Sequence, residues 1–111
     1  MSVDQFDVVD ITSISENGEV VLTISDHFDW HDTIRHQATL QKKLNAYLTF
    51  VESGEILRRY PDAKERSVVF EVVFRFKPDE GGRLFLERAQ QVIESAGLDL
   101  RYRLFAESYN N

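Results

Sequence analysis

All three histidines of the chain lie within ten residues of one another, and aspartates are interleaved with them. The histidines are His27, His31 and His36, and the aspartates are Asp26, Asp29 and Asp32. Imidazole and carboxylate groups are common ligands of zinc, nickel and iron, and they also serve as general acids and bases. The segment is therefore the first place to look for chemistry.

The spacing of these side chains favours a general ligand site over a metal site. Asp32 and His36 are four residues apart and share one face of a helix, whereas His31 and His36 are about 140° apart around it. No zinc motif such as H-E-x-x-H is present. We therefore predict no metal and no cofactor. The candidate ligand-binding residues are Asp26, His27, Asp29, Trp30, Asp32 and His36.

Evidence for catalysis is weak. Ser25-Asp26-His27 contains the residue types of a hydrolytic triad, but neighbours on an extended chain point to opposite sides. The chain has no nucleophile elbow, no P-loop and no cysteine, which excludes thiol catalysis and disulfides. In an enzyme, His27 would be the general base or a ligand, with Asp26 orienting it. The sequence does not decide whether the protein is an enzyme, although it favours a protein without catalytic activity. We predict no catalytic residue.

The elements that position this segment are a hairpin and a helix. Residues 8–14 and 20–24 are predicted strands, joined by a turn at Asn17-Gly18, a dipeptide that tolerates positive φ. A helix is predicted from Trp30 to Glu52, because apolar residues recur there at three- and four-residue steps. Asp29 is its predicted N-cap.

The second half predicts a strand over residues 67–76, a helix from Pro78 to Ala96 and a strand over residues 98–105. The buried stripe predicted for the helix is Phe85, Ala89, Val92, Ile93 and Ala96. The order β-β-α-β-α-β predicts an α/β (α+β) two-layer sandwich, with one four-stranded mixed sheet and two helices on one face. An all-antiparallel sheet is the alternative. Residues 1–111 are predicted to form a single domain.

The charges are unevenly distributed along the chain. Residues 1–34 contain eight acids and no lysine or arginine, and the whole chain has a net charge of −6. This acidic balance argues against a general nucleic-acid binder. The acidic end is either a solvated surface or a docking face for a basic partner.

The sheet face away from the helices is a candidate interface. It combines valines, an aromatic ring and arginines, a mixture that often marks a protein contact. The candidate interface residues are Val69, Val73, Arg75, Arg101, Arg103 and Phe105. We predict that the partner is another protein or a second copy in a homodimer. An open face with scattered apolar side chains is the alternative.

The N-terminal residues show no secretory signal, and the apolar runs are far shorter than the ~20 residues needed to span a bilayer. We therefore expect a cytoplasmic protein with no membrane partner.

Several segments resemble a family of small bacterial proteins of unknown function. They are residues 21–30 (VLTISDHFDW), 44–48 (LNAYL), 50–56 (FVESGEI, containing ESGEI) and 60–63 (YPDA). The resemblance implies a free-standing bacterial cytoplasmic protein and no particular activity. The sequence thus favours a non-enzymatic protein-interaction module, either a homodimer or an acidic, immunity-like neutraliser of a basic toxin or nuclease. The alternative is a small ligand- or metal-binding domain or enzyme that uses the loop from Asp26 to His36.

Overall fold

A computed structural model describes residues 13–105 and contains one four-stranded sheet and three α-helices. In chain order the elements are β1 (Ser13–Ile14), β2 (Val20–Asp26), α1 (Thr33–Glu52), α2 (Glu55–Arg59), a 3₁₀ turn (Pro61–Ala63), β3 (Val68–Phe74), α3 (Glu80–Ser95) and β4 (Asp99–Leu104). The strands lie in the order β1-β2-β3-β4, with β1 antiparallel to β2 and the other pairs parallel. The predicted mixed sheet is confirmed, and the all-antiparallel alternative is wrong.

The strand register places one row of residues at the carboxyl edge of the sheet. Asp26 of β2 lies opposite Phe74 of β3, and Phe74 lies opposite Leu104 of β4. The chain leaves β2 toward α1 and β3 toward α3 from this edge. The starts of both long helices therefore lie beside the last residues of the parallel strands.

Both long helices pack on the same face of the sheet. The core contains, from the sheet, Val20, Leu22, Ile24, Val68, Phe70, Val72, Phe74 and Leu100, and, from the helices, Leu40, Leu44, Tyr47, Phe50, Leu86 and Ile93. Burying each large side chain of this kind stabilises the fold by about 1.5–3 kcal/mol. This burial fixes the helices over the sheet and so fixes their starts at its carboxyl edge.

The predicted hairpin is confirmed where it is described. The Ser15 N–H donates to the Glu19 carbonyl at 2.8 Å, and Gly18 has φ +82°, the left-handed conformation that the Asn-Gly pair predicted. Only Ser13–Ile14 of the predicted first strand belongs to the described residues. The rest of that prediction lies outside them.

The first helix starts later than predicted. It begins at Thr33, and its N-cap is Asp32, whose carboxylate accepts the Arg35 N–H at 3.1 Å. The prediction that Asp29 is the cap is wrong, because its carboxylate accepts the His31 N–H at 3.0 Å and closes a separate turn. This turn keeps Trp30 outside the helix.

The buried stripe predicted for α3 is wrong in part. Gly82, Leu86 and Ile93 are buried, whereas Val92 is 60% exposed and Ala96 is also exposed. Because one residue turns a helix by about 100°, fixing Ile93 on the sheet directs its neighbour Val92 away from it. The strand predicted over residues 67–76 is also shorter, and Phe76 is exposed beyond its end.

No helix within residues 13–105 is both long enough and apolar enough to cross a bilayer.

Candidate functional site

A buried ion pair joins the end of β2 to the first turn of α1. Asp26 is 1% exposed and His36 is 4% exposed, and His36 Nε2 lies 2.5 Å from Asp26 Oδ2. The other ring nitrogen, Nδ1, lies 2.9 Å from the carbonyl oxygen of Asp29. Asp26 Oδ1 accepts the backbone N–H of Phe28 at 3.1 Å. Both imidazole nitrogens therefore face acceptor oxygens.

This arrangement favours one protonation state of His36. A ring nitrogen that donates to an acceptor carries a hydrogen, so two such contacts favour the doubly protonated, cationic ring. Burial lowers the pKa of His36, but the hydrogen bond and charge of Asp26 and the Asp29 carbonyl outweigh burial and raise that pKa overall. The cationic ring has no lone pair left to bind a metal or to remove a proton from a substrate.

Trp30 covers this ion pair. Its ring centroid lies 3.7 Å from that of His36 with 17° between the planes, and its indole Nε1 donates to the Phe76 carbonyl at 3.2 Å. Gly82 of α3 also lies against the indole, and a Cβ atom there would lie only 2.6 Å from Trp30 Cζ3. Open α/β sheets bind ligands at their carboxyl edge. In this protein the indole fills that part of the edge.

The starts of α1 and α3 are also bonded to each other. Thr33 Oγ1 donates to Asp79 Oδ1 at 3.2 Å, and the same carboxylate oxygen caps α3 by accepting the Gly82 N–H at 2.7 Å. One carboxylate therefore holds two helix starts together around the indole.

The other candidate ligand-binding residues do not join this cluster through their side chains. His27 is exposed and lies beside Phe28, with 4.4 Å between the ring centroids. Both Asp26 oxygens are engaged by His36 and by the Phe28 backbone, which disfavours a role in orienting His27. Asp32 caps α1, and Asp29 contributes its carbonyl oxygen to the cluster.

The periodicity of the sequence contains a signal for the buried pair, although residue type and spacing alone did not single the pair out. Asp26 continues the alternation of Val20, Leu22 and Ile24, which all face the core. On α1, His36 precedes the buried Leu40 by four residues and so shares its face. The two periodicities together place both polar groups in the interior.

A groove of about 540 Å³ lies outside the ion pair, and His36 is among its lining residues. The exposed residues His31, Asp32 and Arg35 lie along it. Within residues 13–105, no group of three or more His, Cys, Asp or Glu residues is placed to hold a metal ion.

The outer sheet face differs from the open apolar patch that the sequence suggested. Val69 and Val73 are buried, so their expected exposure is wrong. Arg101 Nη2 lies 2.8 Å from Glu19 Oε2, and Arg103 Nε lies 3.6 Å from Glu71 Oε1. Arg75 lies over the Phe76 ring, and Phe105 is exposed. Arg101 and Arg103 are partly neutralised within the chain, which weakens the case for this interface.

The acidic segment also uses four of its carboxylates internally. Glu19 pairs with Arg101, and Asp26 pairs with His36. The Asp29 and Asp32 side chains accept backbone N–H groups. These bonds support a structural role for four acids that the neutraliser hypothesis would place in a docking face.

Lys43 is a buried cation that is absent from the candidates predicted from the sequence. It is fully buried on α1, and its Nζ lies 5.2 Å from the centroid of the Tyr47 ring. Tyr47 in turn donates its hydroxyl to the Thr23 carbonyl at 3.0 Å. Its position in the sequence indicates burial, because Lys43 lies three residues after Leu40 and four before Tyr47 on the apolar face of α1.

A groove of about 360 Å³ runs between α1 and α3 on the side away from the sheet. We call it the interhelical groove. It is lined by Gln37, Gln41, Leu44, Asn45, Leu48, Phe85, Arg88, Ala89, Val92 and Ile93. Six of these residues are apolar, three are amides and one is an arginine. The groove was not predicted from the sequence, because Val92 was placed on the buried stripe.

Fold and site together define a small α/β sandwich whose carboxyl edge is partly filled by a tryptophan stacked on a buried histidine–aspartate pair. The chain belongs to the family of unknown function DUF6572, whose family model matches residues 1–106. This finding confirms the resemblance to a family without a known function. Neither a curated protein nor a solved structure matches the chain.

Proposed function

We propose that this protein is a non-enzymatic protein-interaction module and that it binds its partner in the interhelical groove. The composition of the groove carries the proposal. One of its ten lining residues is charged, whereas 29% of the whole chain is charged. Cores of protein interfaces are depleted in lysine and carboxylates but enriched in arginine and aromatic residues. The groove has that composition, with Arg88 and Phe85.

The shape of the groove also suits a protein partner. At the helix starts, the Thr33–Asp79 bond holds α1 against α3, and a Cβ atom at Gly81 would lie 3.3 Å from Gln37 Nε2. Farther along, Leu48 and the exposed Val92 line the groove. An apolar groove between two helices accepts a helical ridge from a partner.

The occupant in this proposal is a second copy of the chain. One wall carries amides, among them Gln41 and Asn45, and the other wall carries Arg88. A twofold axis along the groove would set the α3 wall of each copy against the α1 wall of the other. Amide oxygens accept hydrogen bonds from a guanidinium, so the pairing is complementary and occurs twice.

The ligand-binding or enzymatic alternative has less support. Trp30 stacks on His36, and both nitrogens of the His36 ring are engaged, so His36 offers no free nitrogen to a ligand in the groove that it lines. The neutraliser alternative is disfavoured because Glu19, Asp26, Asp29 and Asp32 serve internal bonds.

Analytical ultracentrifugation of the full chain tests the proposal. We expect wild type to sediment as a dimer, and we expect Val92→Glu to weaken dimerisation at least about a hundredfold by placing a charge in the contact. Leu57→Glu is the matched control, because Leu57 is 45% exposed on α2, outside the groove, and should leave the dimer intact.

A monomeric wild type across the micromolar range would overturn the homodimer. A dimer that survives Val92→Glu would overturn the choice of the groove. A different protein that co-purifies and is lost in Val92→Glu would replace the second copy as occupant.

A further inference from the structure

A second groove lies at the ends of β3 and β4, and we call it the cationic groove. It has a volume of about 240 Å³ and is lined by Phe74, Lys77, Pro78, Arg83, Tyr102, Arg103 and Leu104. Three of these residues are cations and none is an acid, although the chain as a whole carries a net charge of −6. A locally positive surface on a negatively charged protein favours an anionic ligand.

The position of the groove is the usual one for a ligand in an α/β sheet. Phe74 and Leu104 lie opposite each other at the carboxyl ends of their strands, where open α/β sheets bind ligands. Trp30 fills the neighbouring part of this edge against His36 and Gly82. The cationic groove lies at the β3–β4 end of the same edge.

Both arginines of the groove take part in ion pairs that are partly open to solvent. Arg83 Nη1 lies 2.8 Å from Glu87 Oε1, with about half of each side chain exposed. Arg103 Nε lies 3.6 Å from Glu71 Oε1, with 43% of the arginine side chain and 27% of the glutamate side chain exposed. Exposed pairs of this kind are weak and exchange readily. An incoming oxyanion can therefore recruit these guanidinium groups, which match phosphate geometry.

The groove also offers an apolar surface. The buried Phe74 ring meets the exposed Tyr102 ring edge-on, with 6.0 Å between their centroids, and Pro78 lies beside them. A flat ring can pack against such a surface while its charged substituent meets the cations. The volume is below the range of about 300–1,000 Å³ found for drug-sized ligands, so it suits a ligand of one ring.

We propose that the cationic groove binds a small phosphate monoester that carries a planar ring. The phosphate is held by Lys77, Arg83 and Arg103, and the ring packs against Tyr102. This site is separate from the interhelical groove and does not depend on dimerisation.

Titration of the full chain with phenyl phosphate, followed by NMR chemical shifts, tests this site. Inorganic phosphate and phenol are the comparison probes. We expect saturable binding of phenyl phosphate, at least about tenfold tighter than either comparison probe, with shifts at Tyr102 and Lys77. Arg83→Gln and Lys77→Gln should each weaken binding about tenfold, since each removes a charge-assisted contact.

The control variants distinguish a specific binding site from nonspecific attraction of anions. Arg58→Gln and Lys64→Gln remove exposed cations outside the groove and should leave the affinity unchanged. Glu87→Gln should tighten binding, because it releases Arg83 and removes a nearby negative charge. Equal losses in the control variants, or no saturation with phenyl phosphate, would overturn the site. Equal affinity for inorganic phosphate would overturn the role of the ring.

Discussion

The indole of Trp30 lies nearly parallel to the imidazole of His36, with 3.7 Å between the ring centroids. Because hydrogen bonds from both nitrogens favour the cationic imidazole, the contact places a cation on an aromatic face, shielded from water. Trp30 is the only tryptophan of the chain, so its fluorescence reports directly on the buried pair.

Stability should fall with rising pH because of His36. Its pKa in the folded protein is raised above the ordinary value of about 6.5, so folding favours the protonated ring. The contribution of the ion pair to the free energy of unfolding is therefore complete below about pH 6.5 and is lost as the pH rises through the folded pKa. One proton limits the slope to about 1.4 kcal/mol per pH unit. Urea unfolding followed by Trp30 fluorescence, from about pH 6 to about pH 9, measures it.

Two variants assign this pH dependence to the ion pair. Asp26→Asn removes the charge that holds the proton on His36, so the slope should flatten and stability at about pH 6 should drop by about 3 kcal/mol. His31→Gln removes an exposed imidazole from the same loop and should leave the profile unchanged. An Asp26→Asn profile with the wild-type slope would show that another group controls the pH dependence.

The adjacent glycines of α3 should respond differently to alanine. A Cβ atom at Gly82 would lie 2.6 Å from the Trp30 ring, which is held by His36 and by the Phe76 carbonyl. Gly82→Ala should therefore destabilise the protein by about 1–3 kcal/mol and shift the Trp30 emission. Thermal unfolding with fluorescence detection measures both effects.

Gly81→Ala is the control for this close approach. Its Cβ atom would lie 3.3 Å from Gln37 Nε2 and 3.4 Å from Thr33 Oγ1, side-chain atoms that can move slightly. Alanine is the better helix former by about 1 kcal/mol, and this gain offsets the cost of the tight contacts. The change should therefore be nearly neutral and leave the Trp30 emission unchanged. A Gly82→Ala protein as stable as Gly81→Ala would contradict the packing of the indole against α3.

Local patterns predicted much of this fold. The Asn17-Gly18 dipeptide predicted the turn correctly, because a turn depends on neighbouring residues. Leu22 and Ile24 alternate along β2, and both face the core. The same alternation extends to Asp26, but a carboxylate after a strand also suits a turn. Only the tertiary position of His36 decides between these two roles.

Features that depend on how elements pack were not predictable from the same patterns. Whether Val92 faces the sheet or the groove depends on the rotation of α3, which is set by its contacts with the sheet. Lys43 was overlooked because a lysine on an apolar face usually extends its ammonium to water. Candidate sites built from residue types alone therefore missed the interhelical groove.

The outer edge of β4 is blocked at Leu100 by two side chains. Its N–H donates to Asp99 Oδ1 at 2.9 Å, and its carbonyl accepts from Gln90 Nε2 at 3.2 Å. Among residues 13–105, no strand pairs with β4 on this side. Unpaired backbone groups on a strand edge invite pairing with another chain, and side chains that occupy those groups prevent it.

Freeing this edge should promote strand-to-strand aggregation. The double variant Gln90→Ala/Asp99→Ala removes both blocking groups, and we expect slow growth of β-rich aggregates, measured by light scattering and thioflavin fluorescence during prolonged incubation. Gln91→Ala, an exposed change one residue along α3, should stay soluble under the same conditions. If the double variant stays as soluble as this control, the two side chains do not protect the edge, and its short length must do so instead.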